Sequence, residues 1–551
     1  MKKFLALIIM LFAGITLVGC GKTTASTTKK TTASKTTASQ TTASQTTSKS
    51  TTSKSTSIST SKSTSKPTTT KTITTSKETI SHEVGTTMPE EFPFEDEVNI
   101  TFWHIYGKDK SALLDRYIGE FETLYPNIHI QSVSQSDYDT LREKISMAIA
   151  IDDTPSMALG YPDHFAGYLN GEAVVALDEY INNPVYGVDI EDFVDGYVAE
   201  NNQYKGGFMY SMPYSKSTEF MAYNKTVTDY HGVEIPHDKA LSYSELIEIL
   251  EKVVTPSDVN GGKSDAENFT CEMGMSFDSS SNLFINATRQ FRGGYTNSKG
   301  EILVDNDNTL KMLTFLKENF QTRLFGLPLL FDQSYGSNDF KIGNICMTVG
   351  STAGVNYNIP SKSDTNYAKY VFDVFEVGIA PIPQADNAVL KSTDVNNEAE
   401  AYLSAVQQGP NIGIFTSASE AERLACWYFI KYLTLPENTA EWAMDTGYLP
   451  VRKSGYTSDA YSAFMNIALK YWAGETLTPA EKDNLYKSMV ANVAEVQVPY
   501  YEYDPAFAQG AKTASSSLAR ETAGSAIEYL FNGTKTPRQA IDYLLSELTW
   551  N

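Results

Sequence analysis

Cysteine and histidine are scarce in this sequence, and the chemistry that they usually support is missing with them. The 551 residues include four Cys and six His. None of these residues has the spacing of a zinc site, and no disulfide framework is indicated. P-loops, Gly-x-Ser-x-Gly elbows and Rossmann glycine fingerprints are absent as well. The sequence therefore predicts no metal, no cofactor and no enzyme, although a glycosidase-type pair among the many carboxylates stays open.

Long hydrophobic runs are missing after the first twenty residues, so no later segment is predicted to span a membrane. The chain starts with a basic Lys2-Lys3 pair, continues as an apolar run, and reaches Leu17-Val18-Gly19-Cys20. This pattern is typical of a secretory signal. Its end resembles the lipobox of bacterial lipoproteins, and the resemblance implies cleavage before Cys20 and lipid on its thiol. The alternative is an ordinary signal peptide with an incidental Cys. We expect a chain anchored by Cys20 at the extracellular face of the cell membrane.

Large apolar side chains are nearly absent from Gly21 to about residue 81. In this segment Thr, Ser, Lys, Ala and Gln form near-repeats. Such a segment cannot bury enough surface to fold, so residues 21–95 are predicted to be a disordered spacer. Residues 1–80 contain 12 Lys and one Glu and so have a net charge of +11. The net charge of the whole chain is −22, which leaves −33 for residues 81–551. Residues 81–551 are therefore strongly acidic and repel nucleic acid and anionic lipid, so contact with the membrane is expected only through the lipid anchor.

Strand and helix patterns alternate after the spacer. They predict three strands, at residues 98–103, 128–133 and 156–159, and two amphipathic helices between them, at residues 112–125 and 138–151. Units of this kind form parallel sheets, and about 470 residues are too many for one core. We therefore predict an α/β fold with two lobes. Trp103 and Tyr161 follow or end strands, which is where ligands bind in such sheets.

Four stretches of the chain carry a family resemblance. They are Phe121-Glu-Thr-Leu-Tyr-Pro-Asn-Ile128, Met212-Pro-Tyr-Ser-Lys-Ser-Thr218, Ile342-Gly-Asn-Ile-Cys-Met-Thr348 with Gly350-Ser-Thr352, and Trp427-Tyr-Phe-Ile-Lys-Tyr-Leu-Thr434 with Thr446-Gly-Tyr-Leu-Pro450. In this order, behind a lipobox, they resemble the family 1 extracellular solute-binding proteins of ABC importers. The branch they resemble binds carbohydrates and glycerol 3-phosphate.

The resemblance implies a periplasmic-binding-protein-like fold of type II, with the ligand enclosed between lobes that close about hinge crossings. The expected N-terminal lobe comprises residues 96–213 with 409–452, and the C-terminal lobe comprises 214–408 with 453–551. It also implies a monomer that captures a sugar, or a sugar- or polyol-phosphate-like solute, and passes it to ABC importer permease subunits. A tethered cell-surface glycosidase or an adhesin is the alternative.

The same resemblance assigns site residues one position at a time. The implied ligand contacts are Tyr138, Asp163, Ser217, Ser351, Gly409, Tyr448 and Arg520, with Trp103, Tyr161, Tyr214 and Arg452 as secondary candidates. One departure stands out, because this chain has Pro162 where the glycerol-phosphate binders carry a glutamate, and Asp163 follows one step later. Aromatic faces beside a few polar groups suit a polyol. Every one of these residues could instead pack, cap a helix or face solvent.

Overall fold

The computed structural model describes residues 81–255, 270–361, 374–390, 402–508, 510 and 513–549. The predicted signal peptide, Cys20 and most of the spacer lie outside these residues. Within them the strands are β1 Val98–His104, β2 Ile128–Ser134, β3 Met157–Gly160, β4 Met212–Pro213, β5 Glu219–Asn224, β6 Met273–Phe277, β7 Phe325–Gly326, β8 Ile345–Ser351, β9 Val377–Ala380, β10 Ala405–Val406, β11 Asn411–Ile414 and β12 Tyr501–Glu502.

The α-helices of the same residues cover the two main sheets. They are α1 His82–Thr86, α2 Lys108–Leu124, α3 Tyr138–Ala150, α4 Pro162–Leu169, α5 Asp178–Ile181, α6 Asp195–Asn201, α7 Lys225–Tyr230, α8 Tyr243–Val253, α9 Ser280–Gln290, α10 Asp307–Gln321, α11 Ser337–Lys341, α12 Asn387–Leu390, α13 Glu420–Leu433, α14 Pro436–Thr446, α15 Lys453–Tyr456, α16 Asp459–Trp472, α17 Pro479–Gln497, α18 Ser516–Phe531 and α19 Pro537–Leu548. No described helix is long and apolar enough to cross a membrane.

The first sheet has the strand order β2-β1-β3-β11-β4. β1 pairs in parallel with β2 and β3, whereas β11 runs antiparallel to β3 and β4. α2 and α3 pack their apolar stripes into the core beside it, through residues such as Phe121 and Ile145. The predicted strand–helix alternation is confirmed. α2 begins earlier than its periodicity suggests, at Lys108, because its first turn is polar.

The second sheet repeats this plan with the order β7-β6-β8-β5-β9. β6 pairs in parallel with β7 and β8, while β5 runs antiparallel to β8 and β9. Successive side chains of β5 point to opposite faces, so Met221 joins an apolar cluster with α8, α9, α10, α18 and α19, and Phe220 joins one with α16 and α17. The chain is a two-lobed α/β protein, as the sequence predicts.

The residues just before β1 are folded, although the predicted spacer extends to residue 95. Phe92 packs edge-on against Tyr428 with centroids 5.3 Å apart, and Asn127 Nδ2 donates a hydrogen bond of 2.7 Å to Phe94 O. Lys431 Nζ donates to Val84 O at 2.6 Å. The spacer prediction is therefore wrong for residues 81–95. Their aromatic side chains find a partner surface on α13, which lies more than 300 residues away along the chain.

The chain passes from the first sheet to the second between β4 and β5, and it returns between β10 and β11. These two crossings run side by side, and Ser217 and Gln408 exchange two backbone hydrogen bonds of 2.9 Å. Gly409 has a φ of 100°, and a Cβ at this position would lie 2.1 Å from Ser215 O. Only glycine fits so close an approach of two backbones.

A buried ion pair joins the same crossings. Lys216 Nζ lies 2.5 Å from Glu200 Oε2 on α6 and donates to Gly409 O at 2.8 Å. Gln407 and Asn411 also donate to the Glu200 carboxylate, at 3.1 and 3.4 Å. Burial lowers the pKa of Lys216, and the neighbouring Glu200 opposes that shift. The pair thus joins the first lobe to both crossing segments.

Candidate functional site

Two tyrosines lie at the carboxyl end of the first sheet. Tyr138 opens α3 and Tyr161 follows β3, and their ring centroids are 4.5 Å apart. Burial is the main cause that raises the pKa of Tyr138 well above its ordinary value, and the phenols of Tyr448, Tyr161 and Tyr106 add to the shift. Four tyrosines therefore converge on one edge of the sheet, and they present aromatic faces together with hydroxyl groups.

An aromatic stack supports Tyr448 from the side of the first lobe. Trp442 on α14 stacks against Tyr448, with ring planes 7° apart, and against Tyr214, with ring planes 27° apart. Its indole Nε1 donates a hydrogen bond of 3.0 Å to Ser215 Oγ, which also bonds Tyr106 Oη at 2.7 Å. Tyr214 and Trp442 are fully buried. They consequently hold Tyr448 and Tyr106 in place.

Asp163, in the first turn of α4, reaches across to the second lobe. Its Oδ2 accepts a hydrogen bond of 2.7 Å from Ser517 Oγ on α18. Burial alone would raise the pKa of Asp163, but His164, the Ser517 hydroxyl and Arg520 outweigh it and hold the pKa below its ordinary value. The side chain is therefore a charged acceptor at neutral pH, located where the two lobes meet.

Arg520 lies one turn after Ser517 on α18, and its guanidinium is already paired. It donates to Asp504 Oδ2 at 2.5 Å and to Asn282 Oδ1. Burial would lower the pKa of Arg520, but Asp504, Tyr295 and Asp163 together raise it. Asp504 accepts a second charged hydrogen bond, of 2.8 Å, from Arg289 Nη2.

Two cavities share Tyr161, Asp163 and Arg520, and both have walls from the two lobes. The narrow cavity, of about 50 Å³, is also lined by Pro162, Glu200, Tyr295, Gln407, Gln408, Asp504, Pro505 and Ser516. The wide cavity, of about 600 Å³, is also lined by Tyr138, Asp139, Arg142, Glu143, His164, Asp278, Ser279, Ser280, Ser281, Ser517, Glu521, Gly524, Ser525 and Glu528. The Tyr295 hydroxyl is buried without a hydrogen-bond partner among the described residues. A hydroxyl-rich molecule would satisfy it.

Two residues of the predicted site, Ser217 and Gly409, belong to the crossings, and a third, Ser351, lies beside the first crossing. Ser217 pairs with Gln408 through its backbone, Gly409 follows directly, and Ser351 ends β8 opposite Glu219. Neither cavity, within the described residues, has Ser217, Ser351, Gly409 or Tyr448 in its wall, although Tyr448 lies beside Tyr138, which lines the wide cavity. Ser217, Ser351 and Gly409 remain candidates for ligand contact only through their position on the hinge side of the cleft.

The secondary candidates separate into two groups. Tyr161 lines both cavities and Tyr214 supports Tyr448, whereas Trp103 packs half-buried against the first-lobe core. Arg452 is fully enclosed in that lobe, with Nη1 3.3 Å from Asp192 Oδ2 and the guanidinium 4.3 Å above the Phe193 ring. Burial, opposed by Asp192, lowers the pKa of Arg452 to about 10. Arg452 stabilises the first lobe instead of facing the cleft, because its side chain is fully buried and its acceptors are the Asp192 carboxylate and the Thr434 carbonyl.

Several residues of the cleft wall are not predicted as site residues from the sequence. They are Glu200, Asn282, Tyr295, Gln407, Gln408, Asp504 and Ser517. Asp504 directly follows the tyrosine-rich residues 499–503, a segment whose sequence suits a cleft wall and a packed loop equally well. The parallel pairing of β12 with β10 brings Asp504 next to Gln407 and Gln408. Nothing within the local pattern of either segment indicates this pairing.

Glu219, at the start of β5, is a buried carboxyl next to the cleft. It accepts hydrogen bonds of 2.8 Å from Asn282 and 3.0 Å from Asn286. Burial, which outweighs these two donors, raises the pKa of Glu219 from 4.5 to about 7. A raised folded-state pKa means that the folded protein binds more protons than the unfolded chain between these values. Protonated Glu219 therefore stabilises the folded protein fully below pH 4.5, and this stabilisation is lost as the pH rises through 7.

We therefore expect Glu219→Gln to flatten the pH dependence of stability. Between about pH 5 and pH 8, wild type should lose about 2 kcal/mol of unfolding free energy relative to the variant. Urea denaturation at a series of pH values measures this difference. Asp278, whose pKa burial raises to about 6, titrates in both proteins and largely cancels in the comparison. Parallel stability curves for the two proteins would contradict the assignment to Glu219.

Comparisons with known proteins place this architecture in a family. The family model for bacterial extracellular solute-binding proteins matches residues 116–468. The sn-glycerol-3-phosphate-binding periplasmic protein UgpB of Salmonella typhimurium is 22% identical over 449 residues, which cover 80% of this chain and 90% of that protein.

Solved structures share the fold at low identity. UgpB from Mycobacterium tuberculosis in complex with glycerophosphocholine aligns with a TM-score of 0.59 and 21% identity, covering 81% of this chain and 96% of that one. A substrate-binding protein of Listeria monocytogenes in complex with cycloalternan aligns with a TM-score of 0.60 and 16% identity, covering 82% and 98%. The MalE domain of Bdellovibrio bacteriovorus bound to maltotriose gives a TM-score of 0.56 at 17% identity, covering 82% and 98%. The family match extends over more than half of the chain, so the protein belongs to the bacterial extracellular solute-binding proteins.

Proposed function

We propose that this chain is the substrate-binding lipoprotein of an ABC importer, held at the extracellular face of the membrane by lipid on Cys20. It captures a carbohydrate, or a sugar- or polyol-phosphate-like solute, as a monomer and delivers it unchanged to the permease subunits. The lobes that close on the solute are residues 96–213 with 409–452 and residues 214–408 with 453–551. The named relatives, which bind glycerol phosphates or oligosaccharides, support this range of solutes.

One observation carries the proposal: side chains from both lobes line the same cavities. Tyr161 and Asp163 come from the first lobe, and Tyr295 and Arg520 come from the second. The hydrogen bond of Asp163 to Ser517 links the lobes directly at this point. A solute held between such walls contacts both lobes at once, and closure about a hinge is how a ligand of this kind becomes enclosed.

The chemistry of the walls suits a polyol. Tyrosine rings offer flat apolar surface for the C–H faces of a sugar, while Asp163, Arg520 and the tyrosine hydroxyls bind its polar edges. In this proposal Tyr138, Tyr161 and Tyr448 form the aromatic surface. Ser217 and Gly409 contribute from the crossings, and Ser351 contributes from the end of β8.

Incubation of the purified protein with defined solutes tests the function. Maltotriose, glycerophosphocholine and sn-glycerol 3-phosphate are added separately, and the melting temperature is measured because a ligand of the folded state raises it. Mass spectrometry of each solute before and after incubation shows whether it is chemically changed. At least one solute should raise the melting temperature and be recovered intact. Hydrolysis products would favour the tethered glycosidase, and no stabilisation by any solute, with none released on denaturation, would favour the adhesin.

Tyr448→Ala is expected to weaken binding of the stabilising solute about tenfold, since it removes one stacking face and its hydroxyl. Titration calorimetry measures the affinity. Tyr335→Ala is the matched control, because Tyr335 is 63% exposed on the second lobe, whereas Tyr448 is buried beside Tyr138, which lines the wide cavity. Unchanged affinity in the Tyr448 variant would remove this residue from the site.

A further inference from the structure

We infer that the cleft selects an uncharged polyol over a phosphate monoester, and that Asp504 is the residue that sets this preference. The inference rests on the proposed function and narrows its range of solutes. It follows from how the guanidinium of Arg520 is used in the folded protein.

Arg520 is the only cation in the wall of the narrow cavity, among the described residues, and both of its Nη atoms already donate a hydrogen bond. Nη1 contacts Asp504 Oδ2 at 2.5 Å, and Nη2 donates to Asn282 Oδ1. A phosphate monoester binds arginine best through two parallel hydrogen bonds. A phosphate bound to both Nη atoms would therefore compete with the Asp504 carboxylate and the Asn282 amide oxygen, which these atoms already contact.

Asp504 is held firmly in this position. It follows β12, which pairs with β10 in the second crossing, and Gln407 N donates a backbone hydrogen bond of 2.9 Å to Glu502 O. Arg289 on α9 fixes the other carboxylate oxygen, with Nη2 2.8 Å from Asp504 Oδ1. Because two arginines and a strand fix the carboxylate, displacing it costs more than moving a free surface side chain.

The surrounding charge also disfavours a dianion. Within the described part of the chain, the wall of the narrow cavity holds three carboxylates, those of Asp163, Glu200 and Asp504, and one cation, Arg520. Two further cations, Lys216 and Arg289, lie outside the wall as partners of Glu200 and Asp504. Lys216 is buried behind Glu200 and is 0% exposed. Carboxylates thus outnumber cations in the wall itself, and carboxylates that face a phosphate act as repulsive elements, which give specificity against the wrong ligand.

Neutral hydrogen-bonding groups complete the same wall. The buried Tyr295 hydroxyl has no partner among the described residues, and Gln407 and Gln408 line the cavity beside it. The charged oxygens of Asp163 and Asp504 accept hydrogen bonds from sugar hydroxyls. A phosphate monoester has few donors to offer in return, whereas every hydroxyl of a polyol can both donate and accept.

Calorimetric titration of the full-length protein with maltotriose and with sn-glycerol 3-phosphate tests the inference. Wild type should bind sn-glycerol 3-phosphate at least about tenfold more weakly than the neutral solute, the difference that one charge-assisted hydrogen bond makes. Asp504→Asn keeps the shape but removes the charge, so its affinity for sn-glycerol 3-phosphate should rise about tenfold or more. If the Asp504→Asn variant does not fold, the Asp504→Ser variant is measured in its place. The matched control is Asp305→Asn, because Asp305 pairs with Arg538 at 2.7 Å on the exposed surface.

The outcomes separate this inference from the proposed function. If wild type binds sn-glycerol 3-phosphate as tightly as or more tightly than maltotriose, the inference is overturned while the binding function stands. If the Asp504 variants gain no affinity for sn-glycerol 3-phosphate over wild type and Asp305→Asn, Asp504 does not set the preference and the inference is again overturned. Weaker binding of sn-glycerol 3-phosphate than of maltotriose by wild type, together with a gain in the Asp504 variants, supports the inference. Only the absence of binding by every solute in every variant counts against the function itself.

Discussion

Lys216→Met is expected to lower the free energy of unfolding by about 3–5 kcal/mol, the cost of leaving one charge of a buried pair without its partner. Lys216 is 0% exposed and Glu200 is 3% exposed, so water cannot replace the ammonium group. The variant also loses the 2.8 Å hydrogen bond to Gly409 O in the second crossing. Urea denaturation followed by tryptophan fluorescence measures the change.

Two further variants make this prediction specific. Lys225→Met removes a cation from the exposed pair with Asp229 and should cost less than about 1 kcal/mol, as surface pairs do. The double variant Lys216→Met with Glu200→Gln should recover part of the loss, because no unpaired charge then stays buried. Equal effects of Lys216→Met and Lys225→Met would mean that the buried pair contributes no more than a surface pair.

The parts of this fold that sequence reasoning predicts are those formed within one strand–helix unit. β1, α2, β2, α3 and β3 follow from hydrophobic periodicity, because each places its apolar residues on one face of a local element. Tyr161 could be placed at the cleft because the carboxyl ends of parallel strands meet at one edge. Tyr138 is implied there only by the family resemblance.

The rest of the site depends on pairings between distant segments. Arg520, Asp504 and Asn282 lie on α18, after β12 and on α9, and only the tertiary structure brings their side chains together. Arg452 shows the opposite error. Arg452 lies four residues after Tyr448, which the family resemblance implies as a ligand contact, and this position suggests a ligand role for Arg452. The fold instead encloses Arg452 beside Asp192 and Phe193. Sequence spacing cannot distinguish a cation that faces a cleft from one that neutralises a buried carboxylate.

Arg520→Ala is expected to weaken binding of the stabilising solute more than about 100-fold, because it removes charged hydrogen-bond donors from the wall of the narrow cavity, which has no other cation within the described residues. It also leaves Asp504 with Arg289 alone, so the charge facing the solute becomes more negative. The Arg520 side chain is 31% exposed, and the melting temperature should therefore fall only slightly.

Arg538→Ala is the control for Arg520→Ala, since Arg538 also pairs with two carboxylates but lies on the open surface, 49% exposed. Calorimetry on both variants, with the solute that stabilises wild type, should show a large loss for Arg520 and none for Arg538. Arg520→Gln keeps a neutral donor and should bind between wild type and Arg520→Ala. If Arg520→Ala binds as wild type does, the guanidinium serves only to hold Asp504 and Asn282. The polar contacts of the solute would then have to come from Asp163, the glutamines and the tyrosines.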